Sequence, residues 1–123
     1  MSKDKYLTKD SGKRLNFKSG MVRDIDNDKT RWDSVADGPM LRRWAELLTR
    51  GKDKYPDAED GTANWLKATN KEELLRFRQS AFRHFMQWYY NEDDEDHAAA
   101  VFFNINGYCY VEDKIKNLKK EIR

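Results

Sequence analysis

The chain has 123 residues and a formal net charge of +2; hydrophobic residues make up 38%, aromatic residues 13% and charged residues 37%. This length predicts one domain with a modest core, and the aromatic content excludes a disordered chain. The single cysteine, Cys109, excludes a disulfide framework and a cysteine-based zinc site, and its apolar surroundings predict a buried thiol.

Neither a membrane span nor a signal peptide is predicted. No apolar stretch approaches the roughly 20 residues that a transmembrane helix needs. The N-terminal sequence MSKDKYLTKD lacks the apolar core of a signal peptide. We therefore expect a cytoplasmic protein without a membrane partner.

The N-terminal part of the chain differs in character from the rest. Residues 1–20 are polar and basic with little periodicity, which predicts a flexible arm. The following stretch is rich in Asp and Asn, typical of turns, but Val22, Ile25 and Trp32 predict that it is ordered. We expect a basic arm over 1–20 and one all-α domain over 21–123.

A first helix is predicted to begin at the Asp-Gly-Pro sequence of residues 37–39, because proline is favoured in the first helical turn. Pro56 ends it near Tyr55. Its apolar stripe consists of Met40, Leu41, Trp44, Leu47 and Leu48. On the polar side, Glu46 has two interpretations: an ion pair with Arg42 or Arg50, or a metal ligand.

A second helix is predicted from about residue 72 to 90, after a loop over 56–70. Asn70 is a favourable N-cap, and Glu73 follows three residues later, as in a capping box. Arg83 and His84 lie in this strongly apolar helix. His84 is either a hydrogen-bonded core or interface residue, or a partner of the acidic residues 92–96 or of a substrate phosphate. Arg83 suits a phosphate or carboxylate.

Five consecutive acidic residues, 92–96, precede a third helix predicted over about 95–118. Asp93 or Asp94 can cap this helix, and His97 and Asn104 share one of its faces. The acidic residues either hold a cation such as Mg²⁺ or form a solvated helix start. Residues 98–111 are apolar on nearly all faces, which predicts a dimer.

Basic residues on the turn-rich segments could bind a polyphosphate: Arg23, Lys29, Arg31, Lys52 and Lys54. The chain contains neither GxxxxGK[ST] nor GxGxxG, so no glycine-rich phosphate loop is predicted. HExxH and the nucleophile elbow are also absent. The basic arm leaves nucleic acid as a weaker possibility, and we expect none.

Five short stretches in order, MVRDIDNDKTRWDSV, PMLRRWAELLTRGKDKY, NW, RH and DEDHAAAVFFN, resemble the dATP/dGTP diphosphohydrolase N-terminal-domain family of phages and bacteria. That family is similar to the MazG-type nucleoside triphosphate pyrophosphatases. The resemblance implies an all-α helical bundle, of three to four helices here, that hydrolyses dGTP or dATP to monophosphate and pyrophosphate. It also implies the host cytoplasm as location if the protein is viral.

By position, the resemblance implies the following substrate-binding residues: Arg23, Lys29, Arg31, Lys54, Asn64, Trp65, Arg83, His84, His97 and Asn104. In the MazG-type relatives, acids on facing helices hold Mg²⁺. The corresponding hypothesis is that Glu46, Glu95 and Asp96 are catalytic and hold Mg²⁺, with Mn²⁺ as the alternative. The MazG-type ExxE and ExxD pair is not intact. A second hypothesis is therefore a non-catalytic nucleotide-binding or protein-interaction module.

Overall fold

The computed structural model describes residues 6–25 and 29–122, with side chains as far as residue 119. Residues 1–5 of the predicted arm, and 26–28 of the turn-rich stretch, lie outside the described residues. The chain divides into two compact units, Met1–Trp32 and Asp33–Arg123. Three α-helices are present among the described residues, α1 (Met40–Lys54), α2 (Lys71–Tyr89) and α3 (His97–Ile122). The prediction of a mostly helical chain is confirmed, whereas the bundle arrangement stays a prediction.

The first unit contains a small antiparallel hairpin in addition to the helices of the all-α prediction. Strand β1 (Arg14–Asn16) pairs with β2 (Val22–Asp24), so that Leu15 lies opposite Arg23. Gly20 has a φ of 92°, which suits the tight turn between the strands because glycine has no Cβ. Asp24 accepts hydrogen bonds from the Ser11 side chain and backbone, and these bonds lower the pKa of its carboxyl group.

Helix α1 forms nearly as predicted from its proline signals. It begins directly after Pro39, and the Tyr55 N–H donates to the Gly51 carbonyl at 2.8 Å where the helix ends. Trp44, Leu47 and Leu48 of the predicted stripe are half-buried, whereas Leu41 is exposed. The stripe itself is therefore only partly buried.

The N-terminus of α2 is capped as the sequence predicts. Asn70 Oδ1 accepts a hydrogen bond from the Glu73 N–H at 3.0 Å. The Glu73 side chain in turn accepts from the N–H of Thr69, also at 3.0 Å, one residue earlier than a standard capping box. Two otherwise unpaired donors of the helix start are thereby satisfied.

Helix α3 is the element on which both other helices pack, most extensively α2. It begins at His97, because Asp96 rather than Asp93 or Asp94 accepts the hydrogen bond from the Ala99 N–H, at 3.2 Å. A Cβ at Gly107 would lie 2.6 Å from Cδ1 of Phe77. The glycine therefore permits the close packing of α2 against α3.

Several apolar side chains remain on the surface of the single chain. The prediction of a buried Cys109 is wrong, because this thiol is exposed. Phe82, Trp88 and Tyr89 of α2 and Ile105 of α3 are each more than half exposed. No helix among the described residues is long and apolar enough to cross a membrane.

Candidate functional site

A cleft of about 950 Å³ lies in the second unit, between the end of α1, the loop after it, and the facing surfaces of α2 and α3. This volume is within the range of small-molecule sites. Eight residues predicted from the sequence line it: Lys52, Lys54, Asn64, Trp65, His84, Glu95, Asp96 and Asn104. The cleft is thus lined by side chains from five separate places in the chain.

Cationic residues line this cleft in slight excess over acidic residues. The five cationic residues that line it are Arg50, Lys52, Lys54, Lys67 and Arg76. Three of them come from the last turns of α1, where cations are favoured by the helix dipole. Lys52 pairs with Asp57 at 3.3 Å, while the other acids of the lining are Glu73, Glu95 and Asp96. The concentration of flexible cations suits a polyphosphate chain.

The loop that carries Trp65 is held against α3. Trp65 lies in a 3₁₀ turn, Asn64–Lys67, with its ring edge-on to Phe103 and Tyr110 at centroid distances of 5.9 and 5.3 Å. The carbonyl of Leu66 accepts hydrogen bonds from Tyr110 Oη at 3.0 Å and Lys114 Nζ at 2.6 Å. These contacts fix the indole at the cleft wall.

Two histidines meet inside the second unit. His84 is 8% exposed and His97 is 2% exposed, and their Nδ1 atoms are 2.9 Å apart. His97 Nε2 donates to Asp94 Oδ1 at 2.7 Å. The hydrogen-bond network assigns the Nδ1–H to His84, which donates it to Nδ1 of His97.

The remaining contacts of the histidine pair agree with this assignment. His84 Nε2 is left as an acceptor, 3.5 Å from Nη2 of Arg83. Burial, followed by the charge of Arg83, lowers the pKa of His84, so its ring is neutral at pH 7. The hydrogen bond from His97 lowers the pKa of Asp94.

Asp96 has a structural partner that the sequence does not indicate. Arg43 of α1 donates two hydrogen bonds to it, Nε to Oδ2 at 2.9 Å and Nη2 to Oδ1 at 2.5 Å. These bonds, with the bond from the Ala99 N–H, lower the pKa of Asp96. Arg43 lies 53 residues away, and nothing in its local sequence distinguishes it from other arginines. Asp94, by contrast, precedes His97 by three residues, a spacing that could have indicated the contact.

Other predicted residues lie elsewhere. Glu46 accepts a hydrogen bond from Arg42 at 2.9 Å and is not part of the cleft lining. Asn104 does line the cleft, but its side chain is buried and donates to the Ala100 carbonyl at 2.8 Å. The predicted phosphate contacts of the N-terminal segment, Arg23, Lys29 and Arg31, belong to the first unit.

One group of potential metal ligands converges. A ligand atom from each of His84, Glu95 and His97 lies within 4.8 Å of the other two. Among the described residues this is the only such group of three, so Glu46 and Asp96 do not join Glu95 in a comparable cluster. Neither a hydrogen bond nor an ion pair engages the Glu95 carboxylate within the described parts of the chain.

Comparison with known proteins identifies a family. The family model described as "dATP/dGTP diphosphohydrolase, N-terminal" matches residues 19–121. No curated protein and no solved structure matches the chain. The matched residues include the whole cleft and all three α-helices except the last residue of α3. The chain therefore belongs to the dATP/dGTP diphosphohydrolase N-terminal-domain family.

Proposed function

We propose that this protein hydrolyses dATP or dGTP to the nucleoside monophosphate and pyrophosphate. The observation that carries the proposal is the cation-lined cleft of about 950 Å³ within the part of the chain that the family model matches. In the reaction, water attacks the α-phosphorus and the bond from this phosphorus to the bridging oxygen of the β-phosphate breaks. The leaving pyrophosphate gains negative charge, which nearby cations stabilise.

The lining residues suggest a division of roles. Arg50, Lys52 and Lys54 would neutralise the phosphates as charge develops on the leaving group. Trp65, held by α3, offers an aromatic surface to the purine base. Glu95 is exposed and lines the cleft, so its carboxylate can orient the attacking water.

The three carboxylates of the magnesium hypothesis do not fit Mg²⁺ as one set. Asp96 is occupied by Arg43 and by the start of α3, while Glu46 is paired with Arg42 outside the cleft lining. Only Glu95 remains available. Asp96 would instead act as a positioning residue, since it ties α1 to the start of α3 beside Glu95.

The test is a panel of deoxynucleoside triphosphates, assayed with Mg²⁺ and with Mn²⁺ and read out by separating the product phosphates. We expect pyrophosphate from dATP or dGTP and a lower kcat/KM, by about tenfold, in Arg50→Gln, since a charged hydrogen bond contributes about 1.5–3 kcal/mol. Arg78→Gln is the matched control, because Arg78 is exposed on α2 and does not line the cleft. Absence of pyrophosphate with every nucleotide and both ions would refute the proposal.

A second candidate function is nucleotide binding without hydrolysis. It is favoured by the engagement of Glu46 and Asp96 in ion pairs, which leaves one free carboxylate of the three. A thermal-shift assay with dATP and dGTP separates the two functions, because a ligand that binds the folded state raises the Tm. Stabilisation without product would favour the binding module. No shift and no product would favour a protein-interaction module.

We also propose that the protein forms a homodimer through the exposed apolar surface of α2 and α3. Phe82 is 68% exposed and Ile105 52% exposed, and residues of this size are normally covered when they occur together on one surface. Sedimentation equilibrium should give twice the monomer mass. Phe82→Lys should shift the protein toward monomer, and a wild-type protein that sediments as a monomer at micromolar concentration would exclude the dimer.

A further inference from the structure

The two histidines and Glu95 bring three potential metal ligands together at one place. The Nδ1 atoms of His84 and His97 are 2.9 Å apart. Two ligands bound at about 2.1 Å from an ion, at a right angle to each other, are separated by about 3.0 Å. A carboxylate oxygen of Glu95 lies within 4.8 Å of one ring nitrogen of each histidine.

We propose that His84, Glu95 and His97 bind a divalent transition-metal ion at the end of the cleft. His84 and Glu95 also line the cleft, so the coordination positions that these three residues leave open would face it. Water or a phosphate oxygen could occupy those positions. The site does not depend on the proposed hydrolase, since a binding module could hold the same ion.

Asp94 supplies the outer support that such a site needs. A histidine that binds a metal usually donates its second ring N–H to a carboxylate, which fixes the orientation of the ring. His97 makes this bond from Nε2 to Asp94 Oδ1 at 2.7 Å, and its Nδ1 lone pair consequently points toward His84. The His97 side chain is 1% exposed, so its orientation is also held by packing.

Metal binding requires one rearrangement, at His84. The proton on its Nδ1 must move to Nε2, through exchange with water, so that both Nδ1 lone pairs face the ion. No net proton is released. Nε2–H would then face Nη2 of Arg83, now 3.5 Å away, and because Arg83 is exposed its side chain can turn toward solvent.

The ligand types select the kind of ion. Two imidazole nitrogens and one carboxylate suit Mn²⁺, Fe²⁺, Co²⁺ or Zn²⁺. Mg²⁺ and Ca²⁺ prefer oxygen ligands and are disfavoured here. A transition-metal site would therefore use Glu95 of the predicted carboxylate set, while Glu46 and Asp96 keep their arginine partners.

The test uses the full chain, freed of metal by a chelator and titrated without nucleotide. Co²⁺ is the probe, because its visible absorption reports imidazole coordination, and Mg²⁺ is the competitor. We expect one Co²⁺ per chain and no displacement by a tenfold excess of Mg²⁺. Asp94→Asn should weaken Co²⁺ binding about 10–100-fold, and Glu95→Gln should weaken it at least about tenfold.

The matched control is Glu92→Gln, an exposed acid of the same segment outside the cluster, which should bind Co²⁺ like the wild type. Glu95 is exposed, so its substitution tests the site without disturbing the core. The proposal would be overturned if Glu95→Gln bound Co²⁺ as tightly as the wild type does. It would also be overturned if the wild type bound no Co²⁺ at a ratio of one ion per chain. Because no nucleotide is present, neither result bears on the proposed hydrolysis.

Discussion

The ion pair between Arg43 and Asp96 connects the start of α3 to α1. From the structure we estimate how much its removal lowers the free energy of unfolding. Asp96→Asn removes the charge but keeps an oxygen that can accept from the Ala99 N–H, since Asn and Asp are comparable N-caps. The side chains of Arg43 and Asp96 are 40% and 20% exposed. Solvent screening therefore limits the loss to about 1 kcal/mol in the free energy of unfolding.

Asp96→Ala removes the N-cap as well, which adds about 1 kcal/mol and brings the expected loss to about 2 kcal/mol. The free energies follow from urea unfolding, monitored by circular dichroism. The double variant with Arg43→Gln should lose less than the sum of the single variants, because the two residues act as one pair. Strict additivity would contradict the assigned pairing.

The pH dependence of this pair has a definite sign. The folded state lowers the pKa of Asp96 below its ordinary value of 3.8, chiefly through the hydrogen bonds from Arg43. The stabilisation is therefore fully present above about pH 5 and is lost as the pH falls through 3.8 toward the lower folded pKa. The stability difference between the wild type and Asp96→Asn should shrink over that interval. A difference that stays constant from pH 7 to pH 3 would refute this reasoning.

Three further substitutions test the packing, the capping and the cleft. Gly107→Ala should lower the free energy of unfolding by about 1–2 kcal/mol in urea titrations. The reason is that the clash with Phe77 costs more than the roughly 1 kcal/mol gained in helix propensity. A stabilised variant would contradict the close approach of α2 and α3 at Gly107. Asn70→Ala should cost about 1 kcal/mol in the same assay through loss of the α2 cap, and an unchanged stability would argue against that hydrogen bond. Trp65→Leu should weaken dATP or dGTP binding about tenfold in calorimetry. The control variant Trp88→Leu, on the exposed face of α2, should bind like the wild type. Equal affinities of the two variants would exclude stacking of the base on Trp65.

Local signals in the sequence predict the helices accurately because their causes are local. Pro56 and Asn70 act on neighbouring residues. Pro56 predicts the observed end of α1, and Asn70 the observed start of α2, within one or two residues. The helix start at His97 differs from the prediction, because several acids in succession could each cap it. Tertiary contact with Arg43 accompanies the choice of Asp96 among them.

Cys109 and Glu46 show where local patterns are insufficient. An apolar run predicts burial of Cys109, but burial on a long helix depends on which faces receive a neighbour, and the neighbours of α3 leave this face exposed. Glu46 could pair locally or reach the acidic segment, and only the folded chain distinguishes these outcomes. It pairs with Arg42, one turn earlier.

The sequence alone determines the mostly helical character of this protein, two of its helix starts and its family. Periodicity, caps and short motifs are properties of neighbouring residues, so they can be recognised without coordinates. The tertiary structure decides which charged groups meet: Arg43 with Asp96, and His84 with His97 and Glu95. Such contacts join residues of α1 and α2 to α3 and to the segment directly before it. Their formation depends on how α1 and α2 pack against α3, which no local pattern encodes.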